Sequence, residues 1–151
     1  MSEIRKPDGN WRMAVAAAML LAMTGLSAQA HHSASMFDGT KRIIFTGTVQ
    51  KWVWANPHSW LYLRISRKDR PEEVWGFESG GTSMLIRAGW NAADIQIGDK
   101  VIVTAEPERT GQHLGLMEQV QLPNGRVLAG GGPPPGGLPG GPGPAAPVPY
   151  E

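Results

Sequence analysis

The stretch IIFTGTVQKWVW, residues 43–54, decides the reading of this chain. Ile43, Phe45, Val49 and Val53 fall on one face at a period of two, with Ile44, Thr46, Thr48, Gln50, Trp52 and Trp54 on the other. That alternation predicts a long β-strand. Gly47 in its middle lacks a side chain and permits a bulge or sharp coil, as a strand needs when it serves two parts of a curled sheet. Asn56-Pro57 then marks a turn.

Downstream, the same pattern repeats at short intervals. A second strand over 59–66 alternates Leu61, Leu63 and Ile65 against Trp60, Tyr62 and Arg64, and a charged turn follows over 68–72. The third strand, over 73–79, carries Trp75 and Phe77 on one side and Val74 and Glu78 on the other. Thr82 is placed to cap a short helix running to Ala88, and Gly89 supplies its left-handed stop. A loop ending in Gly98-Asp99 leads to a fourth strand over 100–106. A fifth strand over 115–122 closes in the turn Pro123-Asn124-Gly125, and Arg126 to Leu128 adds a short return strand. The expected fold is therefore all-β with one short helix: a small five- to six-stranded OB-like barrel, because five strands with a helix between the third and fourth is the OB order. A small open sheet or a sandwich is the alternative.

The flanks differ in composition. Arg5, Lys6 and Arg12 precede an apolar, small-residue stretch from Met13 to Leu26, and Ala28 and Ala30 sit where a signal peptidase requires small side chains. Residues 1–30 are read as a signal peptide, with an uncleaved anchor as the alternative. The apolar stretch is shorter than the roughly 20 residues that span a bilayer comfortably. Cleavage leaves a domain over 31–129 with no membrane span, expected in the periplasm or secreted. From Gly130 to Glu151 there are eight glycines and eight prolines in 22 residues, a composition that predicts a disordered tail.

Charge and cysteine narrow the function classes. Residues 1–30 carry Arg5, Lys6 and Arg12 against Glu3 and Asp8, so their removal takes the formal charge from +1 to zero. A neutral chain without a basic stripe lacks the electrostatic footprint of a nucleic-acid binder. The chain has no cysteine, so any metal must be held by nitrogen and oxygen. No nucleophile elbow, phosphate-binding glycine loop or His-Glu-x-x-His helix is present, and no enzyme signature stands out. Glu72-Glu73 reads as part of a solvated charged turn.

Two candidate sites remain. Cleavage after Ala30 would expose His31 as the first residue, offering its α-amine and ring to one ion beside the ring of His32. His58, aimed by Pro57, is the natural third ring, and Asp38 and Glu78 are candidate oxygen ligands or hydrogen-bond partners that fix an imidazole tautomer. Such a nitrogen set favours copper, with zinc second. His113 reads as a solvated loop residue. In the second, metal-free reading, Trp52 and Trp54 on one strand and Trp60 and Tyr62 on the next form one aromatic platform, and that surface or a sheet edge meets a polymer, another envelope protein or a small apolar ligand. Packing within the barrel competes with that role, and Trp75, Phe77 and Trp90 are assigned to the core.

Several stretches together carry a resemblance: His31-His32-Ser33 with Phe37-Asp38, Thr46-Gly47-Thr48-Val49, Asn56-Pro57-His58-Ser59-Trp60, Glu78-Ser79-Gly80, Leu85 with Arg87, Gly89-Trp90, Gly98-Asp99 and Leu122-Pro123-Asn124-Gly125. The chain resembles the domain-of-unknown-function 6152 family of small exported bacterial proteins. The resemblance implies export and a small β-rich domain, and little chemistry. One departure is Ala34, which stands where the family often has an aromatic residue after His-His-Ser.

Overall fold

The computed structural model describes residues 35–131 and 145–151. The expected signal segment, with His31 and His32, lies outside the described residues. The strands are β1 (Ile43–Val53), β2 (Ser59–Ile65), β3 (Glu73–Ser79), β4 (Lys100–Pro107), β5 (Leu114–Gln121), β6 (Val127–Ala129) and β7 (Val148–Pro149). A helix α1 (Thr82–Arg87) and a 3-10 turn (Ala92–Asp94) connect β3 to β4.

These strands close into a barrel. The order runs β2-β3-β5-β4-β1, and β1 pairs again with β2 to complete the circle. The first half of β1 pairs antiparallel with β4, from Ile43 opposite Ala105 to Thr48 opposite Lys100. Its second half pairs with β2, ending with Val53 opposite Trp60. β3 and β5 run parallel, and β6 extends β5. This is the closed five-stranded OB arrangement that the element order predicts, with the helix between β3 and β4.

The interior is filled by alternate residues of every strand: Phe45, Val49, Leu61, Leu63, Phe77, Val103, Ala105 and Val120 are all fully inaccessible. Each fully buried Leu, Val or Phe contributes roughly 1.5–3 kcal/mol of transfer free energy. Leu85, the buried residue of α1, and Trp90 join the same cluster, and the indole Nε1 of Trp90 donates to the Ala129 carbonyl at 2.6 Å. Gly81 caps the helix one residue earlier than the sequence suggests. The Thr82 backbone N–H and hydroxyl both donate to Asn56 Oδ1, at 3.0 and 3.2 Å. Gly89 takes the expected left-handed conformation, with φ of 89°.

Two sequence expectations are corrected. The bulge in β1 lies between Val49 and Lys51, not at Gly47. The extra residue inverts the alternation, so Trp52 and Trp54 pack against the interior cluster and Val53 moves to the opposite face. Gly47 serves a different purpose: a Cβ there would lie 2.9 Å from the Arg64 carbonyl oxygen and 3.1 Å from Leu63 Cβ.

The second correction concerns only the two ends of the Gly/Pro-rich tail, since residues 132–144 lie outside the described residues. Gly130 still belongs to the barrel, donating to the Glu118 carbonyl and accepting from the Gly80 N–H. Further on, β7 runs parallel to the start of β1, with Val148 N donating to Arg42 O at 3.0 Å and Tyr150 N to Ile44 O at 2.9 Å. Pro149 falls between the two donors, where no N–H is required. A segment poor in apolar residues is ordered here by two main-chain bonds and one aromatic ring, which composition does not reveal.

Candidate functional site

The outer face of β2 and β3 is where the fold brings several of the candidate residues together. The interior takes Leu61, Leu63 and Ile65, so Trp60, Tyr62 and Arg64 point outward. Across the ladder Trp60 lies opposite Glu78, Tyr62 opposite Gly76 and Arg64 opposite Val74. β5 continues the surface, with Leu114 beside Gly76 and Leu116 beside Glu78.

Trp60 and Tyr62 stack with ring centroids 6.2 Å apart and planes 22° from parallel. Both are half-buried. Gly76 makes room for this: a Cβ there would meet a Tyr62 ring carbon and a Leu114 methyl at 3.1 Å each. Lys51 Nζ stands 5.7 Å from the Tyr62 ring centroid, and Arg64 pairs with Glu72 at 3.6 Å on the exposed rim. The face is thus a small aromatic floor bordered by charges of both signs.

His58 closes one end of this floor. Its Nδ1 lies 2.6 Å from Glu78 Oε1; the Glu78 side chain is 4% exposed and that of His58 35%. The carboxylate orients the ring and leaves Nε2 as its other nitrogen. The turn that carries His58 is clamped on both sides. Ser59 Oγ donates to the Ala55 carbonyl at 3.1 Å, Ser79 Oγ donates to the Ser59 carbonyl at 3.1 Å, and Asn56 holds the start of α1. The Asn56-Pro57 peptide is cis.

The remaining sequence candidates are dispersed. Trp52 stacks on Trp90 at 5.5 Å and leans on Trp54 at 5.8 Å, so the four-residue platform divides into an outer pair and an inner pair. The inner pair, partly buried, packs against the core because of the β1 bulge. Asp38 is not beside His58. It docks next to β4, its backbone N donating to Pro107 O, and its carboxylate accepts from the Thr40 hydroxyl and pairs with Lys41. Those partners, Thr40 first, hold its carboxyl down at about 2. His113 is exposed in its loop as expected, its side chain 48% exposed, and it also stacks on Trp75 at 4.9 Å with Nε2 3.8 Å from Glu73.

Glu73 has a structural role that the charged-turn pattern does not announce. It accepts hydrogen bonds from Trp75 Nε1 at 3.1 Å and Tyr150 Oη at 2.8 Å and pairs with Arg67. The Trp75 bond, outweighing partial burial, and then the Tyr150 bond hold its carboxyl below the usual range. Its neighbour Glu72 instead accepts from Ser66 and pairs with Arg64 on the exposed rim, and nothing in the local sequence announces the Tyr150 contact. On β4, Glu106 is shifted the other way, upward, by burial and by the nearby Glu118.

Among the described residues no group of three His, Asp or Glu side chains converges on a shared ion position. No helix among them is long and apolar enough to cross a membrane. A shallow groove of about 300 Å³ on the β1–β4–β5 side, lined by Thr46, Ile102, Gln121 and Leu122 among others, holds no titratable cluster.

The barrel, its stacked pair and its His–Glu turn coincide with the stretches that carry the family pattern, and the family model matches residues 17–119. The chain belongs to the family of unknown function DUF6152. The match covers Asn56 to Trp60, Gly76 and Glu78, so the outer β2–β3 face of this DUF6152 protein lies wholly within it. No curated protein matches the chain. No solved structure matches it either.

Proposed function

We propose that this DUF6152 protein is an exported, metal-free binding module that stacks a sugar ring of an envelope polymer on Trp60 and Tyr62. The observation that carries the reading is the half-buried Trp60–Tyr62 pair, its planes within 22° of parallel, on an open strand face, with the clamped His58–Glu78 pair at its end. An aromatic floor takes the C–H face of a sugar, and the bordering Lys51, Arg64 and His58 reach its hydroxyls. Flat nucleobases would stack as well. However, the formally neutral processed chain offers no compensation for a phosphate backbone.

The test is calorimetric titration of the processed protein with a panel of soluble oligosaccharides. One or more should bind, and Trp60→Ala should weaken that binding by about 1–3 kcal/mol, as for a lost stacking platform. The far-UV spectrum should not change. A panel that gives no binding, or an alanine variant that binds as well as the parent, refutes the reading.

A second reading, copper uptake, is favoured by the His58–Glu78 geometry, because a carboxylate on Nδ1 is the usual companion of an imidazole that ligates through Nε2. In that reading His58 is the donor on the barrel, and His31 and His32 are judged by their own variants. Zinc is the second ion. The secreted form should begin at His31 and take up one equivalent of Cu(II), and His31→Ala, His32→Ala and His58→Ala should each weaken uptake. A different first residue, or full uptake by the His58 variant, removes it.

A further inference from the structure

The start of β1 has an open side. β2 pairs only with residues from Thr48 onward, so the edge beside Ile43 and Ile44 is available to a further strand, and Val148–Pro149 fills it. The ring of Tyr150 then enters the end of the barrel. It lies 4.8 Å from Phe45 and 4.9 Å from Trp75 between centroids, its hydroxyl donates to Glu73 Oε2 at 2.8 Å, and the Arg67 guanidinium covers it at 4.3 Å. Arg67 and Arg70 also donate to the main-chain oxygen of Glu151, at 2.5 and 3.5 Å.

Four consecutive residues therefore make every contact of a short recognition segment: main-chain bonds for affinity, an aromatic anchor and an arginine clamp for specificity. Nothing in these contacts depends on the segment belonging to the same molecule. It is joined to Gly131 through residues 132–144, which are almost entirely glycine and proline.

We propose that the open edge of β1, with Glu73 and Arg67, is a strand-addition site, and that the Val-Pro-Tyr-Glu segment of a second copy fills it when a chain's own segment is withdrawn. Identical contacts in both arrangements leave the choice to concentration. A tethered segment acts at an effective concentration on the order of millimolar, so the dilute protein is self-filled. Exchange joins one copy's edge to another's tail, a heterologous contact that extends into chains or closes into rings.

Two full-length variants test this by complementation. Tyr150→Ala keeps the site and spoils the segment, whereas Arg67→Ala with Glu73→Ala keeps the segment and spoils the site. In sedimentation velocity each alone should be monomeric, and an equimolar mixture should give a 1:1 complex. A mixture that stays monomeric while both variants keep their far-UV spectra overturns the proposal. Should the double variant not fold, an amidated peptide of residues 145–151 decides. It should bind the Tyr150→Ala chain about tenfold more tightly than the unmodified chain, whose site is occupied. Equal binding to both chains, or none to either, overturns it.

Discussion

Replacing Gly47 by alanine should destabilise the barrel, and the size of the loss follows from one close approach. Gly47 pairs with Val101 at the point where β1 begins to turn from β4 toward β2. A Cβ there would sit 2.9 Å from Arg64 O, 3.1 Å from Leu63 Cβ and 3.2 Å from Ile65 Cγ1. The first of these is backbone in a paired strand and cannot rotate away. Overpacking of this kind costs about 1–3 kcal/mol, and the reduced freedom of the unfolded chain returns about 0.4–1 kcal/mol. A net loss of about 1–2 kcal/mol lowers the Tm of a domain of this size by about 4–15 °C. Thermal unfolding followed by far-UV circular dichroism measures it. Gln50→Ala, on an exposed residue of the actual bulge, should change stability by no more than about 0.5 kcal/mol. If Gly47→Ala melts at or above the parent temperature, the close crossing of β1 over β2 is wrong and Gly47 is the flexible bulge that the sequence alone suggests.

The other predictions concern the ends of the barrel and its acid response. Phe37 is 1% exposed and bridges Glu108, so Phe37→Ala should cost about 3–5 kcal/mol, read as a lower urea midpoint with an unchanged slope. A small effect would show that the segment before β1 adds nothing to the fold. Asp38 has a depressed folded pKa, about 2 against 3.8, so its contribution is full above about 4 and disappears as pH falls toward 2. Asp38→Asn should therefore flatten the fall of Tm across that window, and an unaltered profile would deny the Thr40 and Lys41 contacts. Gly76→Ala should leave the far-UV spectrum intact while pushing Tyr62 out of its stack on Trp60, so any saccharide bound by the parent should bind more weakly. Undiminished binding would separate the ligand from this face.

Much of the barrel was legible because burial imposes a period of two on each strand. Leu61, Leu63 and Ile65, then Trp75 and Phe77, announce their faces without help from neighbours. Gly89 and Gly125 likewise mark their turns through the left-handed backbone that each adopts. The period of two breaks where one extra residue changes the count. The bulge after Val49 turns Trp52 and Trp54 away from Trp60 and Tyr62 to pack, half-buried, against the core, and no local signal separates a bulged glutamine from an ordinary exposed one.

The candidate site shows the same division. His58, Glu78, Trp60 and Tyr62 were all nominated by residue type and by position in a turn or a strand. Their grouping depends on the β2–β3 register, which sets Trp60 against Glu78 and Tyr62 against Gly76. Glu73 and Tyr150 were not nominated, because 77 residues separate them and composition had set the Gly/Pro-rich tail aside.

On its own, the sequence determined which residues alternate between core and solvent, where the turns fall, that thiolate chemistry is absent and that the order of elements suits a closed barrel. These are local properties, set by side-chain chemistry and backbone preference within a few residues. The tertiary structure alone decided that Trp60 and Tyr62 stack on the outer face apart from Trp52 and Trp54, that His58 is held by Glu78, and that Tyr150 returns to the barrel end. Each of those depends on strand register or on a contact between distant segments, where a shift of one residue turns a side chain from one face of the sheet to the other.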